Sequence, residues 1–213
     1  MRIDSAAYPF IAAAVIAALG AGALVGWWLA AVFVALAGFF LFFFRDPDRD
    51  AGEIADETVL APADGRVLVA GPAVSEAAPD GVWQQVSIFL SPMDVHVNRV
   101  PVSGQVTRVT FTRGRFLPAY RHDAATSNER SEIWIDHKGQ TIVFRQIVGI
   151  LARRVVCRVA AGSTVRAGDR FGIMKFGSRM DVFVPATASI RVKVGEMVRG
   201  GQTVIAVLHS DRG

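Results

Sequence analysis

The sequence predicts a mainly β body behind an N-terminal apolar helical hairpin. Three observations carry that reading. Phe10 to Phe44 is a run of 35 residues with no charged or hydrogen-bonding side chain except two tryptophans. Beyond residue 50 the chain consists of short β-branched segments separated by glycine turns. No long amphipathic helical pattern occurs there.

The apolar run is too long for one span. At about 1.5 Å per residue a single helix would reach roughly 52 Å, against a hydrocarbon core of about 30 Å. Gly20, Gly22 and Gly26 interrupt it, so two helices near 9–25 and 27–44 are expected, returning the chain to its starting side. Arg45 and Arg49 put that side in the cytoplasm by the positive-inside tendency. A signal peptide is the competing reading, with Arg2 ahead of an apolar stretch and small residues at 18–23. It leaves the second apolar run unexplained. The expected organisation is a membrane-associated segment 1–45, a polar connector 46–60 and a β domain 61–213.

Of 213 residues, 52% are hydrophobic and 20% charged, which excludes general disorder. A single cysteine, Cys157, excludes a disulfide scaffold or a cysteine zinc site. His96, His122, His137 and His209 have no metal-ligand spacing, so no metal is expected. Charge is uneven. Residues 45–80 hold nine acids against three arginines, a net −6, and residues 81–213 hold 19 basic against nine acidic residues, a net +10. A basic body suits an anionic membrane. Its cations are not interleaved with stacking aromatics, so nucleic acid is not expected as a partner.

Within the body, 67–69, 86–89, 105–109, 133–135 and 141–144 read as strands. Pro118–Glu132 is polar and reads as a long loop. Near the C-terminus, 165–172 and 194–201 echo one another, each a turn ahead of a strand (173–176 and 203–208). Such pieces occur in barrel-sandwich folds of the biotinyl/lipoyl type.

The chemistry centres on Lys175-Phe176-Gly177-Ser178-Arg179-Met180-Asp181-Val182. A serine hydroxyl can attack the carbonyl before it, and glycine on the acyl side leaves that carbonyl accessible. The ester so formed can break by β-elimination. Hydrolysis of the dehydroalanine leaves a pyruvoyl group, an electrophilic ketone made from the chain, with no separate cofactor. Two further segments carry candidate groups. Ala61-Pro62-Ala63-Asp64-Gly65 places a carboxylate in a turn before a strand. Ser91-Pro92-Met93-Asp94-Val95-His96 places a histidine, the commonest proton-transfer side chain near neutral pH, after a strand.

As a set, P-x-D-G, S-P-x-D-x-H and F-G-S resemble the short form of phosphatidylserine decarboxylase proenzymes, from about Ala61 to Leu208. The resemblance implies self-cleavage between Gly177 and Ser178 into a large chain 1–177 and a small chain 178–213. Ser178 would become the pyruvoyl group, and Asp64 and His96 would be catalytic. It also implies a Schiff base with the headgroup amine of phosphatidylserine, loss of carbon dioxide, and release of phosphatidylethanolamine. His96 is the expected proton donor. The match extends to Asn128-Glu129-Arg130, with Asn128 and Arg130 as substrate-binding residues, the arginine pairing with phosphate or carboxylate. Arg113, Arg115 and Arg121 are candidates for headgroup approach. One departure is clear: longer bacterial members carry a second histidine where this chain has Arg99. The implied partners are phosphatidylserine, an anionic cell membrane with the catalytic domain on its cytoplasmic side, and the two chains of one precursor. Homo-oligomers are compatible with the sequence.

Two other readings share parts of this pattern. Met174-Lys175-Phe176 has a loose likeness to the lysine at the hairpin tip of a biotinyl/lipoyl-type carrier, which would make the chain a membrane-anchored carrier or adaptor. A pyruvoyl decarboxylase for a soluble amino acid would share the self-cleavage, but gives the apolar run no purpose.

Overall fold

The computed structural model describes residues 2–50, 52, 54–74, 76–150, 155–175 and 178–209. The chain divides into two compact units, Met1–Asp48 and Arg49–Gly213.

The first unit is a helical hairpin. Strand β1 (Arg2–Ile3) leads through one 3-10 turn into α1 (Tyr8–Leu24), and α2 (Trp27–Phe43) returns to β2 (Arg45–Asp46), which pairs antiparallel with β1. The reversal is made by Gly26, whose φ of +142° is rarely adopted by L side chains, while Val25 and Gly26 both donate to the Ala21 carbonyl at 2.9 Å. Small residues (Ala14, Ala18, Ala21) are buried, and Phe10 meets Phe40 and Phe44 at 5.4 and 5.6 Å. Ile16, Leu19, Trp27 and Val34 stay exposed, so the outer surface of the hairpin is apolar. The 20-residue stretch Ser5–Leu24 is long and apolar enough to cross a bilayer, and Trp27–Phe43 is shorter.

The second unit is mainly β, as the patterning predicts. Its strands are β3 (Thr58–Leu60), β4 (Gly65–Pro72), β5 (Trp83–Leu90), β6 (Val97–Arg99), β7 (Gly104–Thr112), β8 (Arg130–His137), β9 (Gln140–Val148) and β10 (Val155–Cys157). They continue with β11 (Thr164–Val165), β12 (Arg170–Met174), β13 (Ser178–Pro185), β14 (Ser189–Ile190), β15 (Met197–Val198) and β16 (Val204–Val207). One eight-stranded antiparallel sheet has the order β11-β7-β8-β9-β13-β5-β4-β15. Two three-stranded sheets, β10-β12-β6 and β14-β16-β3, complete the unit.

Alternation explains the sheet. In β8, Ser131, Ile133, Ile135 and His137 are buried while Asp136 faces out. Strand β13 lies between β5 and β9 and is buried on both faces. The core joins Leu90, Met180, Val182 and Phe144 of the large sheet to Phe171 and Met174 of β12. Phe144 and Phe171 meet edge to face at 5.0 Å across that boundary.

One expectation is corrected. The stretch 118–132 is not all loop: a single helical turn, α3 (Ala124–Ser127), interrupts it, and β8 starts at Arg130. Arg130, Ser131 and Glu132 continue the in–out alternation of β8, and β7 is there to pair with them.

Candidate active site

The site forms where the chain passes from one sheet to another. Strand β12 belongs to the small sheet with β10 and β6, and β13 belongs to the large sheet between β5 and β9. The two strands flanking Lys175 are therefore not a hairpin, which removes the tip on which the carrier reading depends. Gly177, one half of the expected cleavage site, lies with Phe176 outside the described residues. Ser178 is the first residue of β13, in register with Leu90 and Val148. It is fully buried, and its Oγ has no hydrogen-bond partner among the described residues. By alternation it shares the core-facing side of β13 with Met180 and Val182.

His96 reaches the same crossover from β6. Val97 pairs with Ile173, and the Met174 N–H donates to the His96 carbonyl at 3.3 Å. The S-P-x-D-x-H spacing is a turn. The Asp94 N–H donates to the Ser91 carbonyl at 3.0 Å, and the Ser91 N–H donates back to Asp94 Oδ2 at 2.7 Å. That turn sets the fully buried His96 ring, whose Nδ1 lies 2.9 Å from the Asp94 carbonyl. A carbonyl only accepts, so Nδ1 carries a proton, and when the ring is neutral Nε2 is its basic nitrogen.

Asp64 sits at the other end of β6. Its carboxylate forms a bidentate pair with Arg49, with one arm at 2.7 Å, and accepts the Gly200 N–H at 2.8 Å. Arg49 Nη1 also donates to the Gly200 carbonyl at 2.5 Å. The Arg99 N–H donates to the Pro62 carbonyl at 2.8 Å, and Arg99 Nη1 donates to the Gly168 carbonyl at 3.0 Å. The structure thus brings His96 to the Ser178 end and gives Asp64 to Arg49 and Gly200 at the Arg99 end.

Asn128 is fully buried and its amide is used up. Nδ2 donates to the carbonyls of Leu117 and Val148, both at 2.8 Å, and Oδ1 accepts the Leu117 N–H at 2.9 Å. Because Val148 pairs with Ser178, this amide ties loop 113–128 to the Ser178 end of the sheet. Tyr120 of that loop packs edge to face on Phe89 at 5.9 Å. Arg130 donates to the Thr126 carbonyl at 2.8 Å. Burial, then the neighbouring Arg145 charge, lowers its guanidinium below the usual value, partly offset by Glu132. Met93, Phe116, Tyr120 and Ile150, on the three segments that meet at this end, are exposed. Arg113 and Arg115 are exposed on the same loop.

A profile of the phosphatidylserine decarboxylase family matches residues 36–206. The chain belongs to this family. It is 46% identical over 169 residues to the phosphatidylserine decarboxylase proenzyme of Chlorobium limicola, covering 79% of this chain and 78% of that one. The proenzyme of Magnetococcus marinus is 40% identical over 199 residues (92% of this chain, 90% of the relative). That of Geobacter metallireducens is 39% identical over 213 residues (97% and 96%).

Three polar groups of this phosphatidylserine decarboxylase family member escape a motif reading. Asn98 and Gln146 are fully buried on the interior side, joined by Gln146 Nε2 donating to Asn98 Oδ1 at 2.8 Å. Arg179, on the opposite face of β13 from Ser178, donates to Asp181 Oδ1 at 2.6 Å and Ser87 Oγ at 2.9 Å. With Gln85, His122 and Thr126 it lines a cavity of about 270 Å³. The available signal was a polar residue at a core-facing step of a strand, as with Gln146 between Phe144 and Val148. A larger cavity of about 630 Å³, beside Asp56, His137, Lys138 and His209, lies at the far end of β8 from this site. Among the described residues no three His, Cys, Asp or Glu side chains are grouped to hold a metal.

Proposed function

We propose that this chain decarboxylates phosphatidylserine to phosphatidylethanolamine on a pyruvoyl group that it makes from its own Ser178. The observation that carries the reading is the buried Ser178 Oγ, without a partner among the described residues, at the start of β13 beside the crossover that His96 also reaches. Family membership supports the substrate.

Self-cleavage needs a nucleophile, a base and a leaving amine. Ser178 Oγ adds to the carbonyl carbon of Gly177, and His96 Nε2 takes the hydroxyl proton. Collapse breaks the C–N bond, gives the nitrogen a proton, and leaves an ester between Gly177 and the Ser178 side chain. Removal of the Ser178 α-proton breaks the Cβ–O bond, releasing Gly177 as a carboxylate. Water then replaces the nitrogen, which leaves as ammonia. Asp64 contributes as a positioning residue, because its pair with Arg49 and Gly200 fixes the turn whose Pro62 carbonyl holds β6.

The position suits a ketone. Its surroundings are buried, and Asn98 Nδ2, a donor with no acceptor among the described residues, faces the same interior. A pyruvoyl ketone supplies a carbonyl that binds the substrate amine and draws off the electron pair released with carbon dioxide. His96 returns a proton to the carbon that has lost carbon dioxide. Arg130 attracts the anionic headgroup, and Asn128 holds the loop that shapes its approach. The apolar hairpin and the exposed Met93, Phe116, Tyr120 and Ile150 suit a substrate that stays in a bilayer, with the exposed Arg113 and Arg115 favouring an anionic leaflet, while Arg121 is paired with Asp123 at 2.9 and 2.8 Å.

The test is the denatured mass of the purified wild type, followed by release of carbon dioxide from carboxyl-labelled phosphatidylserine vesicles. Two chains divided after Gly177, the shorter beginning with pyruvoyl, together with labelled carbon dioxide, are expected. One unbroken chain in folded, vesicle-bound protein would overturn the reading.

A further inference from the structure

Three unpartnered polar atoms gather on the interior side of the crossover. Ser178 Oγ, Asn98 Nδ2 and Gln146 Oε1 are all buried without a hydrogen bond among the described residues. Register puts them together. Ser178 pairs with Val148 and Met180 pairs with Gln146, so Gln146 is the diagonal neighbour of Ser178 on the same face of adjacent strands. Asn98, two residues beyond His96 on β6, reaches Gln146 from the facing sheet.

The amide orientations follow from their surroundings. Gln146 Nε2 lies 3.4 Å from the Val156 carbonyl as well as 2.8 Å from Asn98 Oδ1. A carbonyl requires a donor, so that atom of Gln146 is the nitrogen, and Asn98 must turn its oxygen toward it. This leaves the Asn98 NH2 group as a fixed donor. Gly172 makes the arrangement possible, because a Cβ there would stand 2.8 Å from Gln146 Nε2 and against the Val156 carbonyl.

We propose that the Asn98 side-chain N–H stabilises the oxyanion formed when Ser178 Oγ adds to the carbonyl preceding it, with Gln146 as the residue that positions Asn98. The inference rests on the self-cleavage reading and assigns it a donor. In the addition the Oγ–C bond forms, the carbonyl π pair moves onto oxygen, and the hydroxyl proton goes to the base. The negative oxygen needs an N–H already in place. A buried amide held at its oxygen end and unpaired at its nitrogen end has that form.

The experiment follows chain cleavage after synthesis, by electrophoresis and denatured mass, in the wild type, Asn98→Leu, and the double variant Asn98→Leu with Gln146→Met. The double variant removes both amides, so no polar group is stranded and the fold should persist. Both variants are expected to cleave roughly 10²–10³-fold more slowly than the wild type. Hydroxylamine, which splits esters, should leave their accumulated precursors intact, because the block precedes the ester. Cleavage at the wild-type rate in the folded double variant would overturn the proposal. So would hydroxylamine splitting of a variant precursor at 177/178, since the ester would then have formed without the donor. Loss of the fold in both variants would also overturn it by making the pair a structural bond. An uncut wild type would instead sink the self-cleavage reading itself.

Discussion

The two ends of the three-residue strand β6 are built on opposite rules. At the Arg99 end the charged group is saturated: Asp64 holds Arg49 through both oxygens and a backbone N–H from Gly200. At the His96 end Ser178, Asn98 and Gln146 each keep a buried atom unpaired among the described residues. A paired buried charge contributes to a fold, and removing one partner is costly. An unpaired buried hydroxyl or amide costs stability, so its presence points to chemistry. The end that looks weaker as structure is the one we propose to react.

Substitutions can break or sharpen this contrast. The largest effect belongs to Ser178→Ala, which should give an uncut chain with no detectable carbon dioxide release. Its melting temperature should equal or exceed that of any uncut precursor bearing serine, because an unpartnered hydroxyl is lost. A clear drop in melting temperature would show that Ser178 Oγ has a structural bond after all. His96→Ala should cut turnover of whatever processed enzyme forms by roughly 10²–10⁴-fold, measured as labelled carbon dioxide per pyruvoyl chain. Near-normal turnover would remove His96 as proton donor.

At the other end the expected loss is in stability. Arg49→Ala strands the Asp64 carboxylate and should cost about 3 kcal/mol in denaturant unfolding, with slower cleavage as a consequence. If the Arg49→Ala/Asp64→Asn double variant recovers stability, the pair acts through the fold, as the geometry indicates. Asn128→Ala should cost about 2 kcal/mol by losing the bonds to Leu117 that close loop 113–128 and the bond to Val148 that ties it to the sheet. The smallest effect is Arg130→Gln, which should raise KM for phosphatidylserine a few-fold while leaving cleavage unchanged. An equal fall in kcat would place Arg130 closer to the chemistry.

Much of this molecule is legible from residue pattern. Thirty-five apolar residues interrupted by glycine leave little alternative to paired helices, and the observed turn at Gly26 falls between the two expected. The body strands are legible where β-branched residues alternate, as in 133–135 and 141–144. Pattern fails where pairing is decided at long range. Arg130–Glu132 look like loop until β7 lies beside them, and Lys175 looks like a hairpin tip until its two strands join different sheets. The motifs locate Ser178, His96 and Asp64, but spacing along the chain does not say that only His96 shares an end of β6 with Ser178. Arg49 as partner of Asp64, and Gln146 as partner of Asn98, lie 15 and 48 residues away in sequence.

The place of β13 gives self-cleavage a further meaning. A cut before Ser178 would sever the backbone at the first residue of a strand that stays in register with β5 over Ser178–Pro185 and with β9 over Ser178–Phe183. The resulting 36-residue piece would keep β13 inside the large sheet and β15 at its edge, with Val184, Val198 and Ile205 still in the core. It would be held without a covalent link, and could leave only by tearing the sheet open. The folding instructions would then exist only before the cut. Once unfolded, the mature protein would have to find its own half again as a second-order encounter, slower at every dilution, so its persistence would be set by the unfolding barrier and not by refolding.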